Sequence, residues 1–79
     1  MLVEKQNKDT DTWKLVEALT RLAFANQEAV DQAPNARVRA VLETTGRAAD
    51  EAARHIQYGR RDQLTPAQAK LVAQCEKDL

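Results

Sequence analysis

The chain has few of the side chains from which catalytic and metal sites are built. Its 79 residues include one cysteine, one histidine, two glycines and two prolines. A single cysteine cannot form an internal disulfide, so nothing points to an oxidising compartment, and one histidine with one cysteine is too small a set for zinc. The sequence contains no glycine-rich phosphate loop and no nucleophile elbow. We therefore expect no catalytic residues, no metal, no cofactor and no enzymatic activity.

Cys75 and His55 both have ordinary structural interpretations. No basic cluster lies near Cys75 in the sequence to lower the pKa of its thiol, so we predict a small core residue rather than a nucleophile. His55 follows Glu51 by four residues in a helical pattern, a spacing that pairs side chains on a helix surface. We therefore expect His55 at the surface.

Long apolar runs and large apolar side chains are also scarce. No stretch approaches the roughly 18 apolar residues that a membrane-spanning helix needs, and the polar start Met1–Lys5 does not resemble a signal peptide. We therefore expect a cytoplasmic protein without a membrane partner. Leu, Ile, Val and Phe together number 16, and another 14 residues are Ala, which buries little area. Short chains with so small a core are often stabilised by a partner.

The charges balance, with 12 basic and 12 acidic side chains. A disordered chain would normally combine low hydrophobicity with a high net charge, and this chain combines it with strong helical periodicity. We therefore predict one folded helical domain over residues 1–79. Within it, residues 1–9 are predicted to form a flexible N-terminal arm.

The stretch 35–58 has the strongest helical pattern. Apolar or small residues recur there at spacings of four and three, and they are Val38, Leu42, Thr45, Ala49, Ala52 and Ile56. Such spacing keeps one helix face toward a neighbour. Because the pattern passes through Gly46 in phase, we predict one unbroken helix, with Gly46, Ala49, Ala52 and Ala53 allowing close helix packing. Val41 is predicted to widen this buried stripe.

The first helix is predicted at about residues 12–32, ended by the break at Ala33-Pro34-Asn35. A link this short implies that the first two helices fold back as an antiparallel hairpin. Asn26 lies in the middle of the apolar stripe of the first helix. We expect it to be buried and hydrogen-bonded, because an unpaired buried amide is costly, and to influence how helices associate.

The third helix is predicted at about residues 66–77 from a clear start signal. Thr65 is the expected N-cap, Pro66 occupies the first helical position, and Gln68 completes a capping box. The predicted fold is therefore all-α, a small three-helix bundle in which a short C-terminal helix packs across a long hairpin. We also expect it to dimerise.

Two aromatic residues of the first helix lie beside its apolar stripe. Trp13 and Phe24 are 11 residues apart, which places them about 16 Å apart on nearly one line. A three-helix bundle has difficulty burying a second stripe, and Trp is enriched among interface hot spots. We predict a partner-binding face formed by Trp13, Glu17, Thr20 and Phe24. In the competing interpretation, the third helix or the arm residues Leu2 and Val3 cover both rings.

These observations favour a non-catalytic protein-interaction module, a small regulator or inhibitor that binds another protein or itself as a homodimer. The alternative is a nucleic-acid-binding protein, because six of the seven arginines lie between Arg37 and Arg61 against three acidic residues. Its predicted contacts are Arg47, Arg54, Arg60 and Arg61. Acidic residues four positions before Arg47 and Arg54 weaken that positive field.

Overall fold

A computed structural model describes residues 10–79 as three α helices joined by short links. Helix α1 spans Thr10–Val30, α2 spans Ala36–Gln57 and α3 spans Pro66–Lys77, with a single 3-10 turn at Arg61–Gln63 before α3. The described residues contain no strand. The predicted all-α three-helix bundle is therefore confirmed. The predicted arm at residues 1–9 lies outside the described residues.

The link between α1 and α2 explains where α1 ends and where α2 begins. Helix α1 begins two residues earlier than predicted. It also ends two residues earlier, at Val30, because Gln32 N donates to Ala29 O at 3.0 Å and closes a tighter final turn. Pro34 follows and has no N–H with which to continue the helix. Helix α2 starts after Asn35, whose side-chain oxygen accepts a hydrogen bond from Val38 N at 2.9 Å. Asn35 is thus the N-cap of α2.

Helix α2 is unbroken at Gly46, as predicted. Gly46 is buried, and a Cβ added there would lie 3.3 Å from Asn26 Cβ and 3.5 Å from Ala23 O. The backbones of α1 and α2 therefore approach closely at this point because Gly46 has no side chain. Ala49 and Ala52 are fully buried further along the same face.

The C-terminal end of α2 is closed by a left-handed glycine. Gly59 has a φ of 73°, and Arg60 N donates to His55 O at 2.7 Å while Gly59 N donates to Ile56 O at 3.2 Å. This is the Schellman pattern of helix termination. His55 itself is half-buried, so its predicted surface position is wrong, and its Nδ1 has no hydrogen-bond partner among the described residues.

Helix α3 begins with the predicted capping box. Gln68 N donates to Thr65 Oγ1 at 3.1 Å, and Thr65 N donates to Gln68 Oε1 at 3.0 Å. The Gln68 side chain is only 4% exposed, and its Nε2 donates to Glu51 Oε1 of α2 at 2.9 Å. At the other end of α3, Arg61 Nη2 pairs with Glu76 Oε2 at 2.8 Å. Both ends of α3 are thus tied to the elements that precede it.

The core lies at one end of the hairpin, where α3 packs on it. Its buried residues come from all three helices: Leu15, Val16, Leu19, Ala52, Ala53, Ile56 and Val72. We call this end the covered half. The other end consists of residues 21–30 of α1 and 36–45 of α2, none of which is buried, and we call it the bare half.

The bare half corrects two predictions. Val41 is 59% exposed, so it does not widen the buried stripe, and Asn26 is only half-buried. The cause is the length of the third helix. The 12 residues of α3 rise about 18 Å, whereas the 21 residues of α1 rise about 32 Å. Helix α3 therefore covers about half of the hairpin.

Candidate protein-interaction surface

The predicted partner-binding face is largely open to solvent. The Trp13 side chain is 53% exposed and the Phe24 side chain is 67% exposed. Glu17 between them is exposed, and Thr20 is half-buried. Helix α3 therefore does not cover either ring, which removes one part of the competing interpretation. The arm residues that formed its other part lie outside the described residues.

A groove of about 430 Å³ runs between α1 and α2 beside the Phe24 ring. We call it the Phe24 groove. Its walls are Thr20, Ala23, Phe24, Gln27 and Val30 from α1, and Glu43, Gly46, Arg47 and Asp50 from α2. The concave shape follows from the packing, because α1 and α2 approach closely at Gly46 and no third helix fills the space above them.

The groove brings together residues that the sequence assigned to three separate groups. Thr20 and Phe24 belonged to the partner-binding face, Gly46 to the close-packing set, and Arg47 to the nucleic-acid alternative. Trp13 and Glu17 do not line the groove. Sequence reasoning missed Gln27 as a groove residue, although it continues the line of Phe24 by three positions.

Two polar side chains of α1 near the groove, Thr20 and Asn26, each donate a hydrogen bond within the helix. Thr20 Oγ1 donates to Val16 O at 2.8 Å, and Asn26 Nδ2 donates to Leu22 O at 2.8 Å. Asn26 is thus hydrogen-bonded as predicted, but to its own helix, and its Cβ lies beside Gly46 of α2. Asn26 does not line the Phe24 groove.

The α2 side of the groove continues as a line of alternating charges. Glu43, Arg47, Asp50 and Arg54 follow one another at spacings of four, three and four. Arg54 Nη2 lies 3.1 Å from Asp50 Oδ2, with the side chains 67% and 49% exposed. An exposed pair of this kind contributes about 0–1 kcal/mol, so it is easily exchanged for another partner. In the sequence analysis, Arg47 and Arg54 are possible nucleic-acid contacts, and Glu43 and Asp50 are the acidic residues that weaken their positive field.

The four arginines of the nucleic-acid alternative have different surroundings. Arg54 pairs with Asp50, and Arg61 pairs with Glu76. The Arg60 guanidinium lies 5.5 Å from the centre of the Tyr58 ring, and Arg47 lines the Phe24 groove. Because carboxylates neutralise two of the four charges, the basic field that nucleic-acid binding requires is weakened.

A second, more open groove of about 740 Å³ lies where α3 meets the hairpin. Its apolar lining includes Ala18, Leu22, Ala25, Leu71, Cys75 and Leu79. Burial, and secondarily the negative charge of Asp78, raises the pKa of the Cys75 thiol above its ordinary value. The thiolate is the reactive form, so this cysteine is a poor nucleophile.

Other classes of site receive no support from the part of the chain that the structure describes. Residues 10–79 contain no group of three or more His, Cys, Asp or Glu side chains placed to hold a metal ion. None of the three helices is both long and apolar enough to cross a bilayer. Comparison of the sequence and structure with family models, curated proteins and solved structures gave no match.

Proposed function

We propose that this chain is a non-catalytic protein-interaction module whose binding face comprises Trp13, Glu17, Thr20 and the Phe24 groove. One observation carries the proposal: a two-thirds-exposed Phe24 ring stands beside a groove that both long helices form. An exposed aromatic residue beside a concave surface is typical of protein interfaces. The proposed partner is another protein or a second copy of the chain.

The energetic argument concerns the two aromatic rings. Fully covering a side chain the size of Phe gains about 1.5–3 kcal/mol relative to leaving it in water. Phe24 is 67% exposed and Trp13 is 53% exposed, so most of that gain is still available to a partner. The partner-binding face therefore offers more binding energy than the surrounding charged surface.

We propose that the module acts by contact, as a cytoplasmic regulator or inhibitor. A short helical chain that supplies no reacting groups can change another protein's activity by occupying part of its surface. Such a role needs a rigid interaction face, and the covered half supplies the packed core that holds α1 and α2 in place.

Affinity capture from the source organism tests this proposal. The tagged wild-type chain is compared with the double variant Trp13→Ala, Phe24→Ala and with the control Tyr58→Ala. Tyr58 is also an exposed aromatic residue, at 57%, but it lies beyond the end of α2 and outside the groove. We expect the captured protein to be lost only with the double variant, at unchanged helicity by circular dichroism. Equal capture by all three chains contradicts the proposal, as does a double variant that unfolds.

Nucleic-acid binding has a different experimental signature. Affinity for duplex or single-stranded nucleic acid would fall steeply and linearly on a log–log plot as salt rises. It would also weaken in the double variant Arg60→Ser, Arg61→Ser and not in the aromatic variant. Observation of both effects would replace the protein-interaction proposal.

A further inference from the structure

The charged line on α2 is complementary to itself when two copies run antiparallel. Read along the helix, Glu43, Arg47, Asp50 and Arg54 alternate in sign. A two-fold axis midway between Arg47 and Asp50 places Arg47 opposite Asp50 of the second copy. The same axis places Glu43 opposite Arg54 of the second copy, so four attractive contacts form. Parallel pairing would place each residue opposite itself, and all four contacts would repel.

We propose that the Phe24 groove is occupied by a second copy of this chain, in an antiparallel two-fold dimer. The inference rests on the proposed function, because it names the partner of the same face. Two hairpins related in this way place α1 of one copy against α1 of the other, and α2 against α2 likewise. This is the arrangement of an antiparallel four-helix bundle.

The packing of α1 against α2 gives the level of the same axis on α1. Gly46 lies against Ala23 and Asn26, and the two helices are antiparallel. A point midway between Arg47 and Asp50 is therefore level with about residue 22 of α1.

Thr20 and Phe24 then lie on either side of the two-fold axis. Phe24 faces Thr20 of the second copy, and the two Phe24 residues are separated by about 6 Å along the helix direction. That offset is the axial part of the distance between the rings, and it is small enough for them to reach the roughly 4.5–7 Å centroid separation at which aromatic rings interact. The axis that pairs the charges of α2 thus also brings together the exposed rings of α1 beside the groove.

The single chain leaves these charges free to pair between copies. Among residues 10–79, neither Glu43 nor Arg47 forms an ion pair with another described residue. Asp50 is held only by the exposed contact with Arg54, and its second carboxylate oxygen can accept from Arg47 of the other copy. Dimer formation therefore requires no buried ion pair to be broken.

Exchange of charges between two variants tests the arrangement. Arg47→Glu places carboxylates opposite Asp50 of its own second copy, and Asp50→Arg places guanidinium groups opposite Arg47. We expect each variant alone to dimerise about tenfold or more weakly than wild type in sedimentation equilibrium. An equimolar mixture of the two should recover dimers, because Glu at 47 in one chain then meets Arg at 50 in the other.

The controls separate this result from a loss of folding. Circular dichroism must show full helicity for both variants, and Arg37→Glu should dimerise like wild type. Arg37 is exposed on α2, does not line the groove and lies roughly 110° around the helix from the charged line, so the variant makes the same change of charge on another face. Higher salt should weaken the wild-type dimer, because exposed ion pairs are screened.

Two results overturn the inference. One is a wild-type chain that sediments at its single-chain mass of 8.8 kDa throughout the micromolar range. The other is a dimer that the mixture of variants fails to restore. A monomeric chain whose capture of another protein still depends on Trp13 and Phe24 would reject the dimer and leave the proposed function intact. A monomeric chain whose capture ignores both rings would reject both.

Discussion

The covered half and the bare half of the hairpin are built from the same two helices, yet their interiors differ. In the covered half, Leu19 and Ala52 are fully buried beneath α3, with Val72 contributed by α3 itself. In the bare half, Leu42 stands at a comparable position of the helical pattern and is only half-buried, and Leu22, where the end of α3 meets the hairpin, is half-buried too. A helical stripe therefore marks which residues can be buried, and the presence of a third element decides which of them are.

The difference also separates the packed core from the open groove. The covered half supplies the packed core, while the bare half extends from it as a two-helix ribbon with a groove along one side. Helices in proteins owe most of their stability to tertiary packing. The bare half consequently depends on the covered half for its helical structure.

The largest expected effect breaks the covered half. Leu19→Ala removes a side chain with no exposed surface and should lower the free energy of unfolding by about 2–5 kcal/mol. The matched change Leu42→Ala in the bare half should cost about 1 kcal/mol, since that side chain is half-buried. Denaturant unfolding of both variants at low protein concentration measures the difference. Equal losses would show that the two halves do not differ in stability.

The next effect acts at the boundary between the halves. Gly46→Leu should destabilise by about 1–3 kcal/mol, because its side chain must displace α1 at Ala23 and Asn26. Gly46→Ala should stay within about 1 kcal/mol of wild type, since a tight Cβ contact of 3.3 Å opposes the helix-propensity gain of Ala over Gly. Thermal melts of wild type and the two Gly46 variants measure their order of stability. Higher stability with Leu would contradict close packing at this point.

A smaller effect is expected from removal of the N-cap of α3, the helix that packs on the covered half. Thr65→Ala removes the side-chain acceptor of the Gln68 N–H and should cost about 0.5–2 kcal/mol in denaturant melts. Thr44→Ala, at an exposed position inside α2, is the control and should have little effect. No loss in Thr65→Ala at an unchanged m-value would mean that the cap contributes nothing to the docking of α3.

The smallest expected effect concerns the reactivity of the Cys75 thiol on α3. Burial raises the pKa of Cys75. Its thiolate is therefore less populated at any given pH than the thiolate of an ordinary cysteine, whose pKa is about 8.5. Alkylation at pH 8 should be slower than for a cysteine in a short unstructured peptide, and the difference should vanish in denaturant. A rate in the native chain equal to that of the peptide would contradict the shift.

Local signals explain what could be predicted from the sequence. The capping box at Thr65 and Gln68 and the break at Pro34 involve neighbouring residues only, so the third helix matches its predicted bounds and the first two deviate by at most two residues. The continuity of α2 through Gly46 followed from a hydrophobic pattern that kept its phase. These features depend on short-range physics.

The remaining features depend on how far α3 reaches over the hairpin. Val41 shares the helical pattern of buried residues, and its exposure became evident only when the position of α3 was known. The Phe24 groove required the register of α1 against α2, which places Phe24 near Gly46 and Arg47. No single-helix pattern contains that register. The short predicted length of the third helix was the one signal that could have indicated a bare half.

The side chain of Gln68 links the folding of α3 to its packing on α2. Its Oε1 accepts from Thr65 N to close the first turn of the helix, and its Nε2 donates to Glu51 on α2. One amide group therefore serves the local structure and the tertiary contact at once, and it is positioned for the second only when the first turn has formed. Formation of α3 and its attachment to the hairpin should accordingly occur as one cooperative step, so a detached but helical α3 should not accumulate during unfolding.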